Sequence, residues 1–370
     1  MKKSLLAILN AAKDLNTYTI IIGAFLLTFT SCDVHEWPEE NHKRVPFLLH
    51  LNFNTEMPIH QEIFYSRSEG SKGAAYNHDI RYLIRIYNNE EGRGSSRVAD
   101  STVVITQSVL SGLNHTIPLE LHEGTYTFRI WVDYVDTDSY TDKYYNTENF
   151  AEIILSDREN HSGSNDYREA FRGYATASVT HPADSNEENQ VTIEMKRPMG
   201  KFQFISTDVD VFLHQVVESM RNRGLMQDED SNSDSKAAYD KLLQSIHLGA
   251  YKVVFRYNAF MPCSFNMFTD KPADSWTGVS FTSQMKKSNN NEMILGHDYI
   301  FVNGSETTLS VSIEIYNAEG ELMSSSNPID VPIVRNKLTL VKGEFLTSKA
   351  SGGVCINPSF DGEDYNIEIK

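Results

Sequence analysis

Apolar and polar residues alternate along much of the chain after residue 43. Between Gly124 and Tyr134, aromatic or aliphatic residues occupy every second position, and threonine, arginine and aspartate occupy most of the other face. A period of two places successive side chains on opposite faces and predicts a half-buried β-strand. The same period predicts strands at 44–53, 80–87, 101–107, 116–121, 190–195, 201–205, 250–257, 279–284, 307–316 and 337–341.

The period changes within 211–248, where two groups of apolar residues have helical spacing: Phe212, Val216, Val217 and Met220, then Ala238, Leu242 and Ile246. This spacing predicts a helical insertion among the strands. A further short helix is expected around 167–171.

These elements predict a mainly β protein with two tandem β-sandwich domains. Residues 32–43 are polar, contain Pro38 and form a tether, while residues 44–197 form the N-terminal sandwich. The turn-forming segment 197–200 is the seam. Residues 198–370 form the C-terminal sandwich, which carries the helical insertion. About 340 residues are too many for one ordinary core, which also favours two domains.

The first 31 residues have the pattern of a signal peptide, with Lys2 and Lys3 before an apolar run of about 14 residues that is too short for a permanent membrane helix. The run ends in small residues before a cysteine, and this end resembles a lipobox. The resemblance implies cleavage after Ser31 and lipid attachment to Cys32, with two or three acyl chains giving firm anchoring. The alternative is a secretory signal followed by a coincidental cysteine.

The net charge is −17, and removal of residues 1–31 makes it −19. Such a surface repels nucleic acid, so no nucleic-acid partner is expected. Beyond Cys32, only Cys263 and Cys355 remain, which excludes a disulfide-dense scaffold and a four-cysteine zinc site. These two cysteines could pair or remain free.

Sequence motifs for catalysis are missing. The chain has no phosphate-binding glycine loop, no Gly-x-Ser-x-Gly and no His-Glu-x-x-His. His78 adjoins Asp79, and His297 adjoins Asp298, but neighbouring strand residues point to opposite faces and should not converge on one substrate. We therefore expect a protein that is not an enzyme and needs no cofactor.

Two acidic segments have features of calcium sites, and neither is predicted to bind metal. Residues 228–234 begin like an EF-hand loop, but Ser233 stands where the loop needs glycine and Tyr239 where it needs glutamate. The second segment has Asp133, Asp136, Asp138 and Asp142. A solvated loop or a polar turn is favoured for each, with calcium left open.

Four aromatic residues are candidates for contact with a glycan or a partner: Trp131, Tyr144, Tyr145 and Trp276. Trp131 shares the alternate face of its strand, so it could be exposed or could pack against a helix or a second domain. Ser101, in Asp-Ser-Thr, resembles an O-glycosylation acceptor of exported proteins in gut Bacteroidales.

Six segments resemble an uncharacterised family of Bacteroidales lipoproteins with no assigned activity: 33–38, 145–150, 166–173, 195–202, 257–262 and 345–354. More distantly, a lipobox followed by two sandwiches is similar to fimbrial anchor lipoproteins of the FimB kind. That resemblance implies transthyretin-like sandwiches, an outer-membrane location facing outward and contact with fimbrial subunits. The helical insertion departs from that pattern.

The leading hypothesis is a lipid-anchored outer-membrane protein at the cell surface that serves as a non-enzymatic anchor or assembly subunit of a fimbria-like structure. Contact through strand edges is expected, because an open edge can accept a partner strand. The alternating segment 364–370 should close its own sheet or complete that of a neighbour. The alternative function is a glycan-binding surface lipoprotein associated with nutrient import.

Overall fold

Strands form most of the described chain, as the alternating pattern predicted. The computed structural model describes residues 44–53, 78–89, 99–109, 113, 115–181, 188–223, 246, 248–288, 292–348, 354–356 and 364–369, the last two ranges for their backbone. All eleven predicted strands match observed strands to within two residues at either end.

The described strands before residue 196 build two facing sheets and part of a third. They are β1 (Val45–Phe53), β2 (His78–Asn88), β3 (Ser101–Ser108), β4 (His115–Leu121), β5 (Gly124–Asp136), β6 (Tyr145–Asn146), β7 (Ile153–Leu155), β8 (Phe171–Val179) and β9 (Asn189–Met195). The sheets have the orders β4-β1-β9 and β3-β2-β5-β8. Phe47 stacks on Phe128 at 5.2 Å between ring centroids, and Phe53 meets Phe171 edge-on at 5.1 Å. These rings fill the first sandwich.

The described elements after residue 198 are β10 (Met199–Ser206), α1 (Val209–Asn222), β11 (Lys252–Tyr257), β12 (Met261–Pro262), β13 (Ser264–Asn266), β14 (Lys271–Pro272), β15 (Ser275–Trp276), β16 (Ser280–Gln284), β17 (Lys286–Lys287), β18 (Met293–Phe301), β19 (Glu306–Tyr316), β20 (Leu322–Ser325), β21 (Ile329–Val334), β22 (Leu338–Gly343), β23 (Val354–Ile356) and β24 (Asp364–Ile369). Short 3₁₀ turns lie at Asp166–Arg168 and Leu248–Ala250.

Two larger sheets form the second sandwich. One has the order β17-β18-β10-β22-β24-β23, and the other has the order β16-β11-β19-β20, with β21 also paired to β19. Phe204 of β10 meets Phe255 of β11 with 5.5 Å between ring centroids. Backbone pairing places β24 parallel to β22, so the C-terminal strand joins a sheet of its own chain.

Helix α1 confirms the first half of the predicted insertion. Its Phe212, Val216 and Val217 are buried, and the ring of Phe212 packs edge-on against Tyr251. The second predicted helix lies outside the described residues except for its last apolar position, Ile246, which is buried. None of the helices in the described ranges has the length and apolar character of a membrane span.

A small sheet joins the two halves of the chain. Its order is β14-β13-β7-β6, so strands from before and after residue 197 pair within it. The Leu155 N–H donates to the carbonyl of Cys263 at 2.8 Å. Residues Pro46–Lys370 form one compact unit. The predicted seam at Arg197 falls between β9 and β10, and the division into two domains there stays a prediction.

Candidate interaction edge and buried polar network

The predicted processing site, Ser31 and Cys32, lies outside the described residues. Cys263 is a free thiol that is 1% exposed, and burial raises its pKa to about 12. A thiol with so high a pKa holds little reactive thiolate at neutral pH. Because Cys32 lies outside the described residues, lipid attachment to it remains a prediction.

Two of the four candidate aromatic residues are in the core and cannot contact a glycan or a partner. Trp131 and Tyr145 are each 0% exposed, and their rings meet edge-on at 5.3 Å. Trp131 also packs against Phe265 and Phe301 of the second half. The face of β5 that carries Trp131 is covered by the joining sheet and β18, so of the two positions that its strand allows, Trp131 takes the packed one and is not a contact residue.

The other two candidates are half-exposed. The Tyr144 hydroxyl lies 2.8 Å from Nε2 of His78, and the two rings are stacked. Trp276 pairs with Met261 in the short sheet of β12 and β15. No described contact brings Tyr144 and Trp276 together. The clustered aromatic platform that the glycan alternative requires is therefore not formed by these four residues.

Three of the four aspartates in segment 133–142 pair with cations of the chain. Asp133 is buried and accepts two hydrogen bonds from Arg81, at 2.9 and 2.7 Å. Asp142 lies 2.8 Å from the same guanidinium, and Asp136 pairs with Lys143. Among the described residues, no group of acidic, histidine or cysteine side chains is arranged to hold a metal ion. The acidic segment 228–234 lies outside them.

A buried polar network centres on Asp298 of β18, which is 1% exposed. Its carboxylate pairs with Arg168 and accepts hydrogen bonds from the Tyr257 hydroxyl at 2.5 Å and from the Tyr299 N–H at 2.7 Å. Nε2 of His161 is 2.7 Å from Oδ2. The same Nε2 also lies 3.0 Å from Nη1 of Arg168, which can only donate, so this ring nitrogen sits between the guanidinium and the carboxylate.

The electrostatics of the network favour an ionised Asp298. Burial opposes ionisation, but Arg168, His161 and Tyr257 outweigh it and lower the pKa of Asp298 to about 2. Burial and the nearby Arg168 lower the pKa of His161. The network is therefore a buried ion pair beside a neutral histidine at pH 7.

Neighbouring His297 faces a different acid. Its Nε2 lies 2.7 Å from Asp166, which also pairs with Lys201 at 3.0 Å. Burial is the main cause that lowers the pKa of His297. As expected from strand geometry, His297 and Asp298 turn to separate partners.

Burial defines what the Asp298 network can do. Arg168 is 2% exposed and His161 is 5% exposed, so no substrate reaches them in this conformation. Both belong to the segment between β7 and β8, whereas Asp298 and Tyr257 belong to the second sandwich. The network therefore ties the two halves of the chain together. Sequence reasoning missed it because its members are up to 137 residues apart.

The strand edge that best fits a partner is β3. It lies at the end of the order β3-β2-β5-β8, and its eight residues contain no charge, proline or glycine. Its register with β2 runs without a bulge from Ser101–Ile86 to Ser108–Asp79. In the described ranges, β2 is its only pairing partner. An uncharged, regular edge is a template for an added strand.

The side chains of β3 suit such a contact. Val103 and Ile105 lie opposite Ile84 and Tyr82 on the core side and are half-buried, while Val104 on the other face is 38% exposed. A strand added here would cover these β-branched side chains.

Other described edges are shorter or carry residues that discourage pairing. β4 contains Pro118 and Glu120, and β17 consists of Lys286 and Lys287. Proline and lysine are common devices that protect an edge. β16 is uncharged but has five residues. β3 is the longest uncharged and regular edge among these.

Comparison with protein families gives one decisive match. The model of a family of unknown function, DUF6562, matches residues 44–370. The chain belongs to the DUF6562 family. This confirms the expected membership of a family without an assigned activity. None of the curated proteins matches the chain in sequence.

The solved structures similar to this DUF6562 chain have low sequence identity. A fimbrial assembly protein of Parabacteroides distasonis is 9% identical, with 84% of this chain and 94% of that chain covered and a TM-score of 0.38. The fimbrial anchor protein Mfa2 of Porphyromonas gingivalis is 10% identical, with 76% and 82% covered and a TM-score of 0.34. A provisionally assigned cell adhesion protein of Bacteroides eggerthii is 12% identical, with 88% and 94% covered and a TM-score of 0.40. Because the sequence identities and TM-scores are this low, these similarities do not assign a function to the chain.

In this DUF6562 chain, the candidate O-glycosylation residue lies at one end of the open edge. Ser101 is exposed, begins β3 and pairs with Ile86. The preceding Asp100 accepts a hydrogen bond from the Asn88 N–H at 2.6 Å. Ser101 is therefore accessible, and its glycosylation remains a prediction.

Proposed function

We propose that the chain is a non-enzymatic, surface-facing lipoprotein of the outer membrane that serves as an anchor or assembly subunit of a fimbria-like structure. The open edge of β3 is the observation that supports it most directly. In this proposal, a protein partner adds an extended segment alongside β3, and main-chain hydrogen bonds supply much of the affinity.

The proposed anchor is lipid on Cys32. It rests on the small residues that precede this cysteine and on the short apolar run before them. Because the acidic body does not favour contact with anionic head groups, acyl chains provide the membrane attachment. Cys32→Ala should lose incorporation of labelled palmitate and should leave the membrane fraction. If Cys32→Ala keeps both the label and the membrane location, the anchor part of the proposal is wrong.

The edge proposal is tested with a paired substitution that adds charge. Thr102 and Val104 are exposed and lie two residues apart on one face of β3. The double variant Thr102→Lys/Val104→Lys places two cations where a partner strand must pack, which should lower partner capture at least tenfold. A matched control is Thr282→Lys/Gln284→Lys, which makes the same charge change at two exposed positions of β16.

Capture is measured by cross-linking on intact cells followed by purification of the full chain. The wild type and the β16 variant should recover the same fibre protein, and the β3 variant should not. Circular dichroism and the melting temperature confirm that each variant is folded. Equal recovery by the two double variants would exclude β3 as the contact edge, and recovery of no fibre protein by the wild type would refute the fimbrial role.

A further inference from the structure

A cleft of about 450 Å³ opens at one end of the described structure, where three connections meet. Lys196 and Arg197 come from the link between β9 and β10, Ser305 from the turn before β19, and Arg335 and Asn336 from the turn after β21. Its volume lies in the range typical of small-molecule sites. Most of its polar side chains are cationic, although the whole chain carries a net charge of −17.

Arg335, which lines the cleft, belongs to a charged group that has more positive than negative charge and whose other members lie behind the lining. Nη1 of Arg335 lies 2.8 Å from the carboxylate of Asp270, and Nε of Arg172 lies 2.7 Å from the same carboxylate. The side chain of Arg335 is 15% exposed and that of Arg172 is 12% exposed. Among the described residues, two arginines therefore share one acid, and this group carries one net positive charge in a poorly solvated place.

Lys196 adds a second positive charge to the lining of the cleft. Lys196 is exposed, and within the described residues its amine has no ion pair or hydrogen bond. Next to it, Arg197 pairs with Glu169 at 2.6 Å, which leaves that pair neutral. The four cations at this end therefore face two carboxylates. Glu306 pairs with Val334 on neighbouring strands but does not line the cleft.

The floor of the cleft offers donors rather than acceptors. Arg197 is 1% exposed and donates from Nη1 to the side-chain oxygen of Asn336 at 2.9 Å. Its Nη2 is buried without a hydrogen-bond partner among the described residues. Since Asn336 turns its oxygen toward the guanidinium, its amide nitrogen is left to donate elsewhere. Ser305 contributes an exposed hydroxyl at the rim.

We propose that this cleft binds the carboxylate of a small acid of sugar-acid or amino-acid size. The lysine ammonium, the asparagine amide and the net positive field of the arginines supply charge-assisted hydrogen bonds to a planar, negatively charged group. The volume beyond that group accommodates one ring or one short side chain. This proposal is independent of the contact edge at β3.

The experiment is isothermal titration calorimetry on the full chain. The probes are glucuronate and N-acetylalanine, each paired with a neutral counterpart, glucose and N-acetylalaninamide. At least one acid should bind saturably, and neither neutral compound should. Binding of glucuronate alone identifies a sugar acid, and binding of N-acetylalanine alone identifies an amino-acid carboxylate.

Two variants locate the site. Lys196→Gln removes an exposed cation and should weaken binding of the acid about tenfold, the effect of one charge-assisted hydrogen bond. Asn336→Asp places a carboxylate beside Arg197 and should abolish binding. The control is Lys286→Gln, which removes one exposed lysine from β17 and should change the affinity less than twofold.

Three results would overturn the proposal. The first is the absence of saturable binding by either acid. The second is equal weakening by Lys196→Gln and Lys286→Gln, because that would indicate a general effect of net charge. The third is binding of inorganic phosphate that depends on Lys196 while both carboxylates fail to bind. Melting temperatures of the variants check that a loss of binding does not come from unfolding.

Discussion

Replacement of Asp298 by asparagine tests whether the buried network holds the fold together. The change keeps the size of the side chain, but it removes the charge that faces Arg168 and leaves one acceptor oxygen where there were two. The buried donors of Tyr257 and Arg168 now use different oxygens, so in the variant one of them meets the new amide group or competes for the remaining oxygen. Breaking one partner of a buried ion pair costs about 3–5 kcal/mol. We expect Asp298→Asn to lower the free energy of unfolding by this amount at pH 7.

The same site predicts a pH dependence. The pKa of Asp298 is about 2 in the folded protein against an ordinary value of 3.8. Because the folded pKa is the lower one, the charge stabilises the fold above pH 3.8, and this stabilisation is lost as the pH falls through 2. The full shift corresponds to about 2 kcal/mol, of which about 1 kcal/mol is lost by pH 3. The gap between wild type and Asp298→Asn should therefore be about 1 kcal/mol smaller at pH 3 than at pH 7.

Urea unfolding followed by tryptophan fluorescence measures both effects. Asp136→Asn is the control, because Asp136 pairs with Lys143 at the surface and its carboxylate is 59% exposed. A surface pair contributes little, so this variant should lie within about 1 kcal/mol of wild type. A cost below about 1 kcal/mol for Asp298→Asn at pH 7, or a gap that does not narrow toward pH 3, would refute the assignment of Asp298 as a stabilising buried charge.

Three further outcomes follow from the packing. Trp131→Ala should cost about 3–5 kcal/mol of unfolding free energy because it opens a cavity between the two halves, whereas Trp276→Ala, at a half-exposed position, should cost clearly less in the same urea titration. Cys263 should resist a thiol reagent in the folded protein and react promptly in urea, since burial raises its pKa to about 12; fast reaction without urea would contradict this. Gly200→Ala should lower the melting temperature, because its new methyl group would lie 2.3 Å from the carbonyl oxygen of Val334; an unchanged melting temperature would show that β10 moves freely there.

The sequence predicted the strands well because alternation is a local property. Each strand of a sandwich buries one face, so the apolar face can be read from a few consecutive residues. The run from Gly124 to Tyr134 extends only two residues further in the structure. Strand β18 was missed because both of its faces are covered, which removes the alternation: eight of its nine residues are buried.

The candidate contact edge was only partly predictable. Composition identifies Ser101–Ser108 as a strand without charge, but not its position at the end of a sheet. That position depends on which strands pair with β2, and pairing joins residues far apart in the chain. The same limit applies to the cationic cleft, whose walls come from three separate connections.

The sequence by itself determined the period of the strands, the acidic charge and the pattern around Cys32 that predicts a lipid anchor. The tertiary structure decided what surrounds each side chain. Trp131 could not be assigned to the surface or to the core from its own strand, because its face is buried by residues more than 130 positions later. The network around Asp298 arose in the same way, from side chains that are distant in sequence and meet only when the two halves pack. Local patterns fix which residues avoid water, whereas the partners of each side chain are set by long-range packing.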